Sequence, residues 1–143
     1  MILYLDTSAL VKLYVDESGR DLVKGAVARA PLLVTSLLTF AETRAAFAKA
    51  QRMNALSASA VTWATARFIQ DWSHVDVLGV DEALVVLAGE LASRHGLRGY
   101  DAVHLASALR VAGAGQPVLF ASFDLRLTNA AAAEGLSTDL KGA

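Results

Sequence analysis

Cysteine is absent from all 143 residues, which excludes disulfide scaffolds, zinc fingers, iron–sulfur sites and thiol catalysis. An excess of one charge is missing too. Thirteen basic residues against 14 acidic ones leave a formal net charge of −1, so an obligate basic polymer binder is out, although a local basic patch is not. No run free of charge is long enough for the ~18 residues of a spanning helix; the longest cover 53–66, 111–123 and 30–41. The opening Met1-Ile2-Leu3-Tyr4-Leu5-Asp6 has no basic leader, so a secretory signal is not expected and the cytoplasm is the expected location. Gly-x-Gly-x-x-Gly and Gly-x-x-x-x-Gly-Lys are lacking, which leaves nucleotide cradling unsupported.

What is present is apolar. Hydrophobic residues make up 55% and charged residues 19%, which rules out a disordered role and leaves apolar surface for a partner to cover. The length predicts a single domain over residues 1–143 that buries its core without staples. Short apolar runs at 2–5, 31–35, 75–80 and 118–122 read as strands, with 136–138 as a further short one. Helical stretches at 9–15, 18–30, 36–52, 57–72, 82–95, 100–112 and 125–134 separate them, with Ser36 and Ser57 placed as N-caps and Gly96 as a stop. Strands alternating with helices predict an α/β domain of three layers, α/β/α, around a central parallel sheet of four to five strands.

Fourteen carboxylates need their ordinary readings first. Ten lie in loops, at element ends or at helical pairing distance from a base, where solvation and capping account for them. Asp6, Glu42, Asp101 and Asp124 do not fit so easily, because each sits against apolar sequence. Asp6 closes the first strand, Asp124 follows the run 118–123, Asp101 heads a helix, and Glu42 lies about two turns into another. Asp6, Asp101 and Asp124 each also fit a helix N-cap, whereas Glu42 has no such role. In an open parallel sheet the functional crevice lies at the carboxyl ends of the strands, so all four acids are expected to reach one cleft. Converging carboxylates repel unless a cation sits among them, and an all-oxygen site suits Mg²⁺ or Mn²⁺.

Four segments carry a family resemblance: Asp6-Thr7-Ser8-Ala9-Leu10, Thr39-Phe40-Ala41-Glu42-Thr43-Arg44, Tyr100-Asp101-Ala102-Val103-His104-Leu105-Ala106-Ser107-Ala108-Leu109, and Ser122-Phe123-Asp124 with Leu127. In this order they span nearly the whole chain and resemble PIN-domain ribonucleases of the VapC toxin type. The resemblance implies a PIN-like fold and endonucleolytic RNA cleavage with Mg²⁺ or Mn²⁺. It implies Asp6 and Asp101 as principal metal ligands, with Glu42 and Asp124 completing the quartet. Thr7 and Ser122 match hydroxyl positions beside the acids, although many relatives carry Thr where Ser122 stands. Also implied are a cognate VapB-type antitoxin, a homodimer, and neither the identity of the RNA target nor the metal count.

Other residues read more plainly. His104, one turn after Asp101, is placed to approach the site, although a helix-packing role is the expected one, and His74 and His95 lie at element ends without a partner at zinc-ligand spacing. Ser8 and Ser36 lack a histidine motif for nucleophilic catalysis. Lys12, Arg44, Lys49, Arg52, Arg98 and Arg126 can each serve as a phosphate contact or as an ordinary surface charge. Two other readings remain open, a signalling receiver domain and a catalytically silent PIN-fold binding module. A receiver needs adjacent acids after the first strand and a lysine ending a later one, where this chain has Thr7-Ser8 and Ser122.

Overall fold

The computed structural model describes residues 1–142. Four strands, β1 (Ile2–Leu5), β2 (Leu33–Ser36), β3 (Asp76–Leu78) and β4 (Val118–Ala121), form one parallel sheet in the order β3-β2-β1-β4. Seven helices connect them: α1 (Thr7–Val11), α2 (Arg20–Arg29), α3 (Leu38–Arg52), α4 (Ala58–Trp72), α5 (Glu82–His95), α6 (Gly99–Gly113) and α7 (Leu125–Ala133). Among the described residues no helix is long and apolar enough to cross a membrane.

Strand β1 is buried throughout, and its side chains alternate between the two faces of the sheet. Leu3 and Leu5 pack with Val23, Phe47 and Phe68 from α2, α3 and α4. Ile2 and Tyr4 pack on the other side with Leu84, Leu91, Leu105 and Leu127 from α5, α6 and α7. Two apolar clusters, one on each face of a parallel sheet, give the three-layer α/β/α arrangement expected from the alternating strand and helix pattern. An aromatic group anchors the first cluster. Tyr14, Phe40, Phe47 and Trp72 surround Phe68 at ring-centroid distances of 5.3–6.2 Å, mostly edge to face.

Several boundaries differ from the sequence reading. The first helix covers only Thr7–Val11 because the Asp6 carboxylate starts it two residues early, accepting from Ala9 N. Helix α3 begins at Leu38 and takes no side-chain cap at Leu37, while Ser36 Oγ accepts from Leu38 N at 3.1 Å. The stretch 136–138 adds no strand: it contributes one isolated bridge, Leu119 to Ser137, so the sheet stays at four strands. Ser57 and Gly96 behave as read, the first capping α4 and the second ending α5 at φ +66°.

The topology decides where a crevice opens. From β1 the chain crosses to β2 on one side, and β4 later docks on the other side of β1. That reversal places a crevice at the carboxyl ends of β1 and β4. Asp6 N still bonds Ala121 O at 3.1 Å, so the sheet ladder runs up to the first acid. Stability in this frame should depend on the aromatic anchor. Phe68→Ala is expected to lower unfolding free energy by about 3–5 kcal/mol in urea titrations. Trp63→Ala, at a side chain 56% exposed on the same helix, should change it by only about 0.5 kcal/mol.

Candidate active site

Asp6, Glu42, Asp101 and Asp124 line one cavity of about 510 Å³ at the carboxyl end of the sheet. Four separate segments deliver them. Asp6 caps α1 directly after β1, and Asp124 caps α7 after β4, accepting from Leu127 N at 3.1 Å. Capping and cavity lining therefore coincide at both residues. Asp101 is not a cap: it stands in the first turn of α6, after Arg98 at the N-cap. Glu42 projects from α3, whose Thr39, Thr43 and Phe47 face the core.

Each carboxylate is restrained by its own partners. Ser8 Oγ donates to Asp6 Oδ1 at 2.7 Å and Ala9 N donates to the same oxygen at 2.9 Å, which leaves Oδ2 without either bond. Ser8 Oγ also accepts from Phe123 N at 2.9 Å and so ties the loop after β4 to the start of α1. Thr7 Oγ1 and His104 Nε2 both lie 2.7 Å from Glu42 Oε1. Arg98 reaches Asp101 Oδ2 at 3.1 Å and Asp124 Oδ2 at 3.4 Å, bridging two acids with one guanidinium. Ser122 Oγ accepts from Asp124 N at 3.1 Å.

These surroundings set the electrostatics. Burial pushes Asp6 above the ordinary carboxylate range, against the pull of His104, Ser122, Ser8 and the Ala9 amide. Burial also raises Asp101, and the neighbouring Asp124 adds to it, while Arg98 opposes both. Glu42 goes the other way. Burial would raise it, but the bonds from His104 and Thr7 outweigh burial and hold it below its usual value. For Asp6 and Asp101, then, the surrounding donors and cations do not fully offset the cost of burying the charged form.

The rim is cationic. Lys12, Lys49 and Arg98 line the same cavity as the acids. Lys12 Nζ sits 4.4 Å from the centre of the Phe123 ring and bonds Glu17 and Ser18 O, which makes Glu17 a fifth acid of the cavity wall. Gly19 is needed beneath it: its φ is +93°, and a Cβ there would lie 2.7 Å from the Phe123 ring. Arg126 lies outside this cavity, in the adjoining one that shares Arg98, Asp101 and Asp124.

Sequence reasoning missed three of these roles. His104 is packed in the core, as expected, and also takes up the approach to the site by touching Glu42 across 62 residues of chain, a partner that the sequence did not identify. Arg98 is a bridge between acids, and Ser8 a strut for Asp6. Spacing within one segment cannot signal such contacts, although the unbroken Asp101-to-Ser107 motif around His104 offered a hint.

The donor set suits a hard divalent cation. It consists of carboxylate oxygens, two of them raised by burial, in a cavity open to solvent. Among the described residues no three acid or histidine side chains already converge on one point, because Arg98 and His104 hold Asp101, Asp124 and Glu42. The fit is therefore one of chemistry and placement, with ligand side chains that must turn inward.

Comparison with known proteins agrees with this architecture. Residues 3–133 match the model of the PIN domain family. The chain is 37% identical to Ribonuclease VapC45 of Mycobacterium tuberculosis (strain CDC 1551 / Oshkosh) over 134 residues, 94% of this chain and 92% of that one. Among solved structures, Mycobacterium tuberculosis VapC20, a Sarcin-Ricin loop cleaving toxin, superposes with a TM-score of 0.64 at 23% identity, covering 94% of this chain and 95% of that one. A toxin-antitoxin complex from Klebsiella pneumoniae gives 0.59 at 21% identity over 84% of each chain. At these identities the two structures speak for the fold.

Asp6→Asn tests the burial argument. Asparagine keeps an acceptor for Ser8 and Ala9 while removing the charge. A carboxyl raised in the folded state favours folding when protonated, and that advantage is lost as pH climbs through its folded value. In metal-free buffer the variant should therefore be more stable than the parent at pH 7. The difference should shrink as pH falls towards about 4, read from urea midpoints at both pH values.

Proposed function

This chain belongs to the PIN-domain family, in its VapC ribonuclease branch, and on that premise we propose that it is a divalent-metal-dependent endoribonuclease. It acts as the toxin of a two-component toxin–antitoxin module. The observation that carries the proposal is the meeting of Asp6, Glu42, Asp101 and Asp124, from four segments, in one cavity rimmed by Lys12, Lys49 and Arg98. Acids to hold a cation and bases to meet a phosphodiester are what hydrolysis of a polyanion requires.

Asp6 and Asp101 are the principal ligands for Mg²⁺ or Mn²⁺, with Glu42 and Asp124 completing the set. When bound, the ion supplies a water of lowered pKa and positive charge for the phosphate. The chain's own residues do the rest. Ser8 and the Ala9 amide fix one oxygen of Asp6 at the cavity wall. Thr7 and His104 keep Glu42 ionised. Arg98 neutralises the Asp101–Asp124 pair without metal, and with Lys12 and Lys49 it offers cationic contacts to the RNA backbone. Ser122 steadies the backbone that presents Asp124. In-line attack of water on phosphorus with departure of the 3′-oxygen leaves 5′-phosphate and 3′-hydroxyl ends.

Residues 1–143 work as one domain, in the cytoplasm where RNA is met. The partners are a VapB-type antitoxin and a second copy of the chain. Exposed apolar side chains, among them Trp63, Ile69, Val85 and Val86, supply surface for them to cover.

Two measurements test this reading. Asp101→Asn is expected to cut Mn²⁺-dependent RNA cleavage by more than about a hundredfold, beyond the usual loss of a merely supporting group, with an unchanged circular dichroism spectrum. Cleavage near the parental rate would remove Asp101 from the mechanism. Separately, Mn²⁺ should raise the melting temperature of the parent and leave the Asp6→Asn/Asp101→Asn double variant unmoved. Equal shifts in both would locate metal binding elsewhere.

A further inference from the structure

His104 is buried in the core, yet both of its ring nitrogens have partners. Nδ1 lies 2.8 Å from the Tyr4 hydroxyl and Nε2 lies 2.7 Å from Glu42 Oε1. Tyr4 is itself fully buried, stacked on Phe120 at 5.4 Å between ring centres and meeting the imidazole edge-on at 5.9 Å. A neutral imidazole has one donor and one acceptor nitrogen, and a phenol has one proton to give. Glu42 as a carboxylate only accepts, so the nitrogen facing it must carry the proton. In the neutral ring the Tyr4 O–H then donates to Nδ1, and the two ends select the same tautomer. The opposite tautomer would set a lone pair against a carboxylate oxygen.

The consequence falls on Glu42. Thr7 and His104 both reach Oε1, so one oxygen is fixed twice while Oε2 takes neither bond. A glutamate on a helix surface has three free torsions, and two contacts on a single oxygen restrict them strongly. We propose that His104, held in its Nε2–H form by Tyr4, is the positioning residue for Glu42, so that a Tyr4–His104–Glu42 chain running from the core to the cavity sets the ligand's orientation. The inference rests on the ribonuclease reading and extends it to two buried residues, Tyr4 in the core and His104 at the cavity wall. A ligand's outer partner of this kind is worth roughly ten- to a hundredfold in metal affinity or activity.

Three variants separate positioning from packing. His104→Leu fills the space without a donor, His104→Gln restores an N–H towards Glu42, and Tyr4→Phe removes one hydroxyl while keeping the stacked ring. Long-range proton–nitrogen spectra of the parent should show the His104 ring protonated at Nε2. Titration calorimetry of the metal-free proteins should find Mn²⁺ affinity about ten- to a hundredfold weaker in His104→Leu, with partial recovery in His104→Gln. Tyr4→Phe should shift in the same direction and lower kcat on RNA more than it raises KM. A ring protonated at Nδ1 alone, or parental Mn²⁺ affinity and turnover in both His104→Leu and Tyr4→Phe, overturns the proposal while leaving the nuclease intact. A parent protein that neither binds Mn²⁺ nor cuts RNA removes the ribonuclease reading, and this inference with it.

Discussion

Like charge gathered in a confined space is the constraint to which the rest of this structure answers. Five carboxylates, Glu17 among them, line one cavity, and burial raises Asp6 and Asp101 above their ordinary range. Such an arrangement persists only if each acid is restrained or countered locally. Asp6 and Asp124 are held by the helix starts they cap, Glu42 by a hydroxyl and an imidazole, and Asp101 with Asp124 by one arginine. Arg98 is the counter-charge that bridges two of the acids, its side chain 64% exposed. The other restraints are backbone amides, the hydroxyls of the part-buried Thr7 and Ser8, and the buried imidazole of His104.

The sheet topology makes this possible. Because β1 is flanked by β2 and β4, its carboxyl end lies where the strand order reverses, and the helices that follow β1 and β4 both start there. Ser8 joins those two starts through Asp6 Oδ1 and the Phe123 amide. The short turn at Gly96 between α5 and α6 brings Arg98 and Asp101 to the same opening. Local capping chemistry thus doubles as site construction. The aspartates that begin α1 and α7 also line the crevice.

That double use explains what could be read in advance. The four acids were legible because each stood at a strand end or against apolar neighbours, and parallel topology sends strand ends to one side. The α/β layering was legible from alternating apolar runs, with four strands at close to their expected positions. Contacts between distant segments were not legible. His104 meets Tyr4 across 100 residues and Glu42 across 62, and Glu134 gathers Arg94 and His95 from about 40 residues away. Nothing in helical spacing distinguishes such a histidine from a packing one. The terminal stretch read as a strand forms a single bridge through Ser137, because Leu136 is drawn into the core instead.

The proposed chemistry needs a cation in the space among these carboxylates, and anomalous scattering at the manganese edge from Mn²⁺-soaked crystals tests for it most directly. A peak about 2.1 Å from carboxylate oxygens of Asp6 and Asp101, with Arg98 withdrawn from Asp101, is the predicted result. A map with no peak in the cavity, or with manganese only on other residues while Arg98 still bridges Asp101 and Asp124, would contradict it.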